Sequence, residues 1–413
     1  MLQRAVENGI RYKKKTVLNL LICMITVILL NAYMGNIAEV DKQMEELPKV
    51  LPVKGTVCNL KGTLASGLKI QEKYVDGILN SEYVDQPLFS IQLRMGNGRI
   101  EGDDYLERLP YYAVGINNAA AVSGFSEGEI VFSGKSKGLS EDMDAQTFFS
   151  SKERICVIDE AAAKEQGIVP GATLTLSAYY TNFRQDHVIV LEPLDVGEYT
   201  VVGLMNIENY TGTDTKPNII IPFETARSLF YENGIEFYAS SASFMLKNPY
   251  EINAFKDEMK KLQFLEILPG AENWYDGYGL SIRDETFIQA AEQLIRNKNL
   301  LMGMLPFLGV AVLCIGYVTA SLLIKGRKPE YAIMRSLGQG HGSSFMIICL
   351  EYALTALTGC VLGCIVSAVI LKVAAEMLFF VTGVFMVCYF LGEAAALWPL
   401  KRLSVMMVLS QND

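Results

Sequence analysis

Apolar residues gather in four runs along this 413-residue chain, and polar residues fill one long interval between the first run and the second. The runs are Thr16–Met34, Leu300–Ile324, Phe345–Leu371 and Met377–Trp398. Each is close to, or above, the roughly 20 apolar residues that a helix needs to cross a hydrocarbon core. The interval Gly35–Asn299 is long enough to be a domain in its own right. The pattern predicts an α+β membrane protein: one N-terminal and three C-terminal transmembrane helices, with a large mixed α/β domain inserted between helices one and two. What remains is an N-terminal segment at 1–15, a loop at 325–344 and a tail at 399–413.

Within the interval, Ile37, Val40, Met44 and Leu47 recur at helical spacing until Pro48, which predicts a stalk continuing the first membrane helix. A helix is expected over Leu68–Leu79. Strands are expected at Leu88–Arg94, Arg154–Ile158, Thr173–Ala178, His187–Leu191, Tyr199–Leu204 and Asn218–Ile221, which are short, β-branched or aromatic, and punctuated by Gly, Pro, Asn and Asp. Further helices are expected at Glu160–Gln166, Pro222–Tyr231 and Tyr250–Leu262, with Pro222 in the first turn of its helix. A last helix, Glu285–Lys298, runs into the second membrane helix as another stalk. No repeat is visible.

Charge sharpens this picture. Hydrophobic residues make up 51% of the chain and its mean hydropathy is +0.24, between a soluble protein and one that is mostly membrane. Gly35–Asn299 holds 24 Lys/Arg against 39 Asp/Glu, whereas the rest holds 12 against 6. An acidic domain argues against nucleic acid as a partner. Arg4, Arg11, Lys13, Lys14 and Lys15 precede the first helix, Lys325, Arg327, Lys328 and Arg335 follow the second, and Lys401 and Arg402 follow the fourth. The positive-inside rule then places both termini in the cytoplasm and the inserted domain outside it. Basic residues before an apolar run also begin secretory signals. Thr16–Met34 is longer than a signal core, however, and no A-x-A-like site follows it, so an uncleaved anchor is expected.

Catalytic and metal chemistry find little support. Six cysteines (Cys23, Cys314, Cys349, Cys360, Cys364, Cys388) lie in apolar runs, where a thiol behaves as a small hydrophobe. Cys58 and Cys156 are the pair in the inserted domain, and whether they bond is open from sequence. There is no C-x-x-C, and His187 and His341 are the only histidines, which argues against a zinc site. Gly134-Lys135-Ser136 lacks the G-x-x-x-x-G-K spacing of a phosphate loop. No strand–Ser-elbow G-x-S-x-G occurs, and His187 falls in an expected strand with no triad partner. No motif calls for a cofactor, and the chain itself is not expected to be an enzyme.

The most specific local signal is the loop after the second helix, Lys325-Gly-Arg-Lys-Pro-Glu-Tyr-Ala-Ile-Met-Arg-Ser-Leu-Gly338. Pro329 and Glu330 suit a helix start and Gly338 a helix stop. Tyr331, Met334 and Leu337 fall on one face with Ile333 beside them. Such a short basic amphipathic helix can rest on lipid headgroups. The run Glu330-Tyr-Ala-Ile-Met-Arg-Ser-Leu-Gly338 also resembles the R-E-I-G-I-L-R-A-L-G signature of FtsX-like (MacB-type) ABC transporter permeases. Glu330, Ile333, Arg335, Leu337 and Gly338 match directly, Tyr331, Ala332, Met334 and Ser336 are mild replacements, and Pro329 departs from that family's polar or basic residue. The resemblance continues through Ile155–Ala163, Gly167–Leu176, Tyr199–Leu204 and Asn218–Pro222, similar to the family's strand–helix–VG pattern. Whatever the family, Gly167, Pro170 and Gly171 make turns between short elements.

The resemblance implies a permease subunit whose loop helix (Glu330, Tyr331, Ile333, Met334, Arg335, Leu337, Gly338) contacts a separate cytoplasmic ATPase. It implies a dimer of permeases in the lipid bilayer, and force transmission to the outer domain for peptide, lipoprotein or antibiotic-like cargo. Glu351, near the start of the third run, is either solvated at the cytoplasmic interface or structural; the family often has an acidic residue there, which favours a packing or coupling role. Gly359 and Gly363 form a G-x-x-x-G that permits close helix approach, within one subunit or across a dimer. Glu393 carries no assigned role, and Trp398 reads as an interfacial anchor. Two other classes compete: a membrane-anchored sensor or binding module without an ATPase, and a membrane-bound hydrolase.

Overall fold

The structure, a computed structural model, describes residues 13–98, 109–132, 143–183, 189–212, 214–268, 277–325, 333, 336–337 and 340–398. In chain order it begins with α1 (Lys13–Val50), β1 (Lys54–Asn59), β2 (Ile70–Gln71), α2 (Glu72–Asn80), β3 (Val84–Asn97), β4 (Tyr111–Ile116) and β5 (Ile130–Phe132). Next come α3 (Ala145–Ser150), β6 (Ile155–Asp159), α4 (Glu160–Gln166), β7 (Thr173–Phe183), β8 (Ile189–Met205), β9 (Ile219–Pro222) and α5 (Phe223–Glu232). The chain continues with β10 (Tyr238–Ala239), β11 (Ser241–Leu246), α6 (Ile252–Lys261), β12 (Tyr278–Ile282), α7 (Glu285–Lys325), α8 (His341–Val366) and α9 (Ala375–Leu397). Two compact units result: Pro48–Ile288, and Met1–Leu47 with Gln289–Asp413.

In the α/β unit the strands run β12-β1-β11-β3-β4-β9-β6-β8-β5, with β7 pairing both β3 and β8. The pairings β3-β4-β9-β6-β8-β7-β3 therefore close a ring of six strands. Two contacts in it, β4–β9 and β6–β8, are parallel; the other pairs are antiparallel. One core cluster gathers Ile116, Phe125, Phe148, Phe149, Val157, Val202 and Ile220. Arg227 of α5 reaches Glu72 and Asp76 of α2, the latter at 2.9 Å, clamping the two helices. Burial alone would lower the Arg227 pKa, but these two carboxylates raise it.

Several expectations shift. The strands expected at His187–Leu191 and Tyr199–Leu204 are one 17-residue strand, β8, and His187 lies outside the described residues. Pro193 does not break it, because the register slips between Ala178 and Tyr179 of β7 where Pro193 pairs, so its missing N–H falls at a bulge. The helix expected from Leu68 starts at Glu72, since Ile70 and Gln71 pair with β10. Pro222 ends β9 in an extended conformation and precedes α5 instead of occupying its first turn. Helix α4 falls where expected and ends at Gly167, whose left-handed φ of 68° is a glycine conformation.

Among its described residues the other unit holds four helices long and apolar enough to cross a membrane. Helices α1 and α7 extend past their apolar runs, as the stalk patterns predict, and α1 keeps Pro48 within its last turns. Helix α8 passes into a single π-turn at Ser367–Leu371, and Lys372 closes it with a φ of 50°.

Candidate functional site

A polar layer crosses the apolar helices. The Asn19 side chain of α1 donates from Nδ2 to Thr355 Oγ1 of α8 at 2.9 Å. Its Oδ1 accepts from the Tyr389 hydroxyl of α9 at 2.8 Å. Thr319 of α7 lies 3.3 Å from that hydroxyl, so one residue from each of the four helices joins a single chain. Both Asn19 and Tyr389 are buried. In an apolar surrounding each such group needs its partner, so the layer fixes how the helices meet.

A second tie repeats the offset: Asn31 Nδ2 donates to Ser367 Oγ at 3.2 Å. Residues 19 and 355, then 31 and 367, are separated by the same 336 positions, so α1 and α8 run parallel in constant register. Gly359 and Gly363 lie along that seam. A Cβ at Gly359 would sit 2.8 Å from the Leu20 carbonyl oxygen, and one at Gly363 3.1 Å from the Val27 side chain. The G-x-x-x-G is thus filled from within the same chain, which resolves the alternative left open by sequence. Beyond the apolar runs, Lys298 of α7 pairs with Asp41 of α1 at 2.7 Å.

The loop residues divide. Ile333 and Leu337 are exposed, and Leu337 N–H donates to the Ile333 carbonyl at 3.1 Å, one turn of helix. Glu330, Tyr331, Met334, Arg335 and Gly338 lie outside the described residues, as do Gly134–Ser136. Glu351 is 3% exposed, so the solvated alternative for it does not hold. Sequence reasoning marked Glu393 as a charge in an apolar run but not its burial, which equals that of Glu351. It missed Asn19, Asn31, Thr319, Thr355 and Tyr389 altogether; isolated polar residues within apolar runs were the available signal.

Outside the helices, Cys58 and Cys156 are free, buried thiols. Burial pushes Cys156 up to about 12 and raises Cys58 as well, which suppresses the nucleophilic thiolate. Ser66 donates to Asp214, and Gln92 holds both, at 3.0 and 2.9 Å, with no imidazole in the group. Among the described residues no group of three His, Cys, Asp or Glu side chains could hold a metal ion.

Four apolar helices stitched by buried polar groups, with an α/β unit between the first and second, define an integral membrane protein. Residues 302–405 match the family model "FtsX-like permease C-terminal". That match spans the second, third and fourth apolar helices and the Glu330–Gly338 motif. Comparison with curated proteins finds no match. Among solved structures, one similar chain is described as "a domain of a putative Permease protein from Porphyromonas gingivalis". It is 14% identical, with 56% of this chain and 86% of that one covered, at a TM-score of 0.28. That likeness is too distant to carry an argument.

Proposed function

We propose that this chain is the membrane subunit of an ABC-type transporter of the MacB kind. A separate cytoplasmic ATPase drives it, and the Glu330–Gly338 segment receives the ATPase's movement. The FtsX-like match over 302–405 is the observation that carries this reading. Helix geometry supports the mechanical part. Helices α1 and α7 contain 38 and 41 residues. At 1.5 Å per residue they are about 57 and 62 Å long, against about 30 Å of hydrocarbon. Each therefore continues as helix well beyond the bilayer, and Lys298–Asp41 ties them there.

In this reading the basic ends of the chain face the cytoplasm, the α/β unit lies outside it, and two permeases pair with two ATPases. The chain carries no ATP-hydrolysing chemistry of its own; it converts ATPase closure into displacement of the α/β unit. Exposed Ile333 and Leu337 are the apolar surface offered to the ATPase. The test is co-purification of a cytoplasmic ATPase with the full chain from its native membranes. Ile333→Asp with Leu337→Asp is expected to abolish that association while leaving the chain folded in the membrane. An unchanged yield of ATPase would remove the coupling role, and its absence from the wild-type preparation would leave a membrane-anchored binding module.

A further inference from the structure

Helices α1, α7 and α9 enclose an apolar groove of 220 Å³, to which Leu30 of α1, Leu305, Leu308 and Gly309 of α7, and Cys388 of α9 contribute. At its mouth the Tyr33 hydroxyl of α1 donates to the Leu301 carbonyl of α7 at 2.6 Å. Both residues stand at the edges of their apolar runs, the depth at which aromatic side chains mark a bilayer interface. The deepest α7 residue in the lining is Val312. From Leu301 to Val312 the helix descends about 16 Å, against about 15 Å for one leaflet of a 30 Å hydrocarbon core. The groove therefore runs the depth of a single leaflet, the one at the C-terminal end of α1.

Size and chemistry limit what fills it. Spread along Leu305–Val312, about 10.5 Å of helix, 220 Å³ gives a mean cross-section of about 21 Å². An α-helix about 10 Å across needs nearly four times that area, so neither a second copy of this chain nor another membrane protein fits by a helix. No Lys, Arg, Asp or Glu lines the groove, and the Tyr33 hydroxyl is already bonded, so a polar group has nothing to meet there. Left empty, the three helix faces would forgo their dispersion contacts. We propose that the groove holds one acyl chain of a glycerophospholipid from that leaflet, as a standing part of the membrane unit. The chain touches three helices at once, whereas surrounding lipid touches an outer face, and it sets the spacing of α1 and α7 below their Lys298–Asp41 tie. The proposal requires only that the helices span a bilayer, and it stands whether or not an ATPase binds at the 325–344 loop.

The full chain is reconstituted in phosphatidylcholine vesicles doped with a phosphatidylcholine that carries a diazirine midway along one acyl chain. After illumination, adducts are mapped by peptide mass spectrometry. Leu308 and Cys388 line the groove, and their neighbours Phe307 and Val387 are exposed at the same depths. Adducts at Leu308 and Cys388 are expected to exceed those at Phe307 and Val387 several-fold. Gly309→Leu should bring them down to the level of the outward positions. A Cβ at Gly309 meets nothing within 4 Å, so the added side chain fills the groove without displacing a helix. Gly303→Leu, equally open but outside the lining, should leave the adducts unchanged. Equal labelling of inward and outward positions in the wild-type chain overturns the proposal, as do groove adducts that survive Gly309→Leu. Labelling of the groove by a diazirine-bearing palmitic acid but not by the phospholipid would assign a free fatty acid and overturn it. A groove closed to the lipid probe, with Cys388 crosslinking to a second copy of the chain, would also overturn it.

Discussion

Phe148 and Asn19 are both buried to within 2% of complete, and each holds its surroundings by a different means. Phe148 packs against Phe132 and Phe149 in the α/β unit, with ring centroids 5.8 and 5.1 Å away. Water drives that cluster together, because every apolar surface there would otherwise be hydrated. Asn19 sits where lipid is as apolar as any side chain, so burial cannot distinguish a helix neighbour from a lipid neighbour. Register among the membrane helices is set by what lipid cannot offer: hydrogen bonds, and backbones close enough to exclude a side chain. The constant 336-residue offset between α1 and α8 follows from such contacts.

The contrast predicts unequal and separable damage, and the buried cysteines report it. Phe148→Ala is expected to cost about 3–5 kcal/mol, the usual range for emptying an aromatic site. Cys156, on the β6 strand beside that cluster and fully buried, should then alkylate more than about a hundredfold faster, since each 1.36 kcal/mol is a factor of ten. Cys23 and Cys360 in the membrane unit should keep their wild-type rates. Site-resolved mass spectrometry of alkylated full-length protein separates the two. Equal acceleration at all three thiols would mean that the units unfold together, and the contrast would fail.

Gly359→Leu is the converse. Its Cβ alone would meet the Leu20 carbonyl oxygen at 2.8 Å and Cys23 Cβ at 2.9 Å, and both contacts include backbone or backbone-near atoms that cannot swing away. Overpacking of this kind costs about 1–3 kcal/mol. Cys23 and Cys360 should become reactive while Cys156 stays protected. Asn19→Leu is milder, at about 0.6 kcal/mol and at most about 1.7, because a released polar partner finds another in the membrane. It should raise Cys23 reactivity modestly, and pairing it with Tyr389→Phe should add little, since the two residues share one hydrogen bond.

The same contrast explains what was legible in the sequence. Four apolar runs announce four helices because membrane thickness sets their length. The alternating and β-branched segments placed β6 and β9 to within one residue, and the start of β7, which runs five residues beyond the expected end at Ala178. Strand β1 went unread because Gly55 weakens its pattern, yet a glycine is required there: the Phe244 ring lies where a Cβ would be. Strand β4 went unread because most of its residues are buried, which leaves no alternation. The polar layer was out of reach for another reason. Asn19, Thr319, Thr355 and Tyr389 come from four helices, and only their mutual rotation shows that they meet.

The smallest effect separates the units by acid. Glu129 accepts from the Ser126 and Glu208 backbone N–H groups at 2.7 and 3.1 Å. Asp144 caps α3 by accepting from Thr147 N–H at 2.8 Å. These bonds hold both carboxyls below their ordinary values of 4.5 and 3.8. A group whose folded pKa is depressed contributes its stability fully above the unfolded value and loses it as pH falls through the folded one. The thermal midpoint of the full chain, followed by near-ultraviolet circular dichroism, should therefore hold steady from pH 7 to about 5 and decline below about 4. Glu129→Gln with Asp144→Asn should lower the midpoint at pH 7 and flatten the decline. An acid decline of unchanged steepness in that double variant would assign it to other carboxylates.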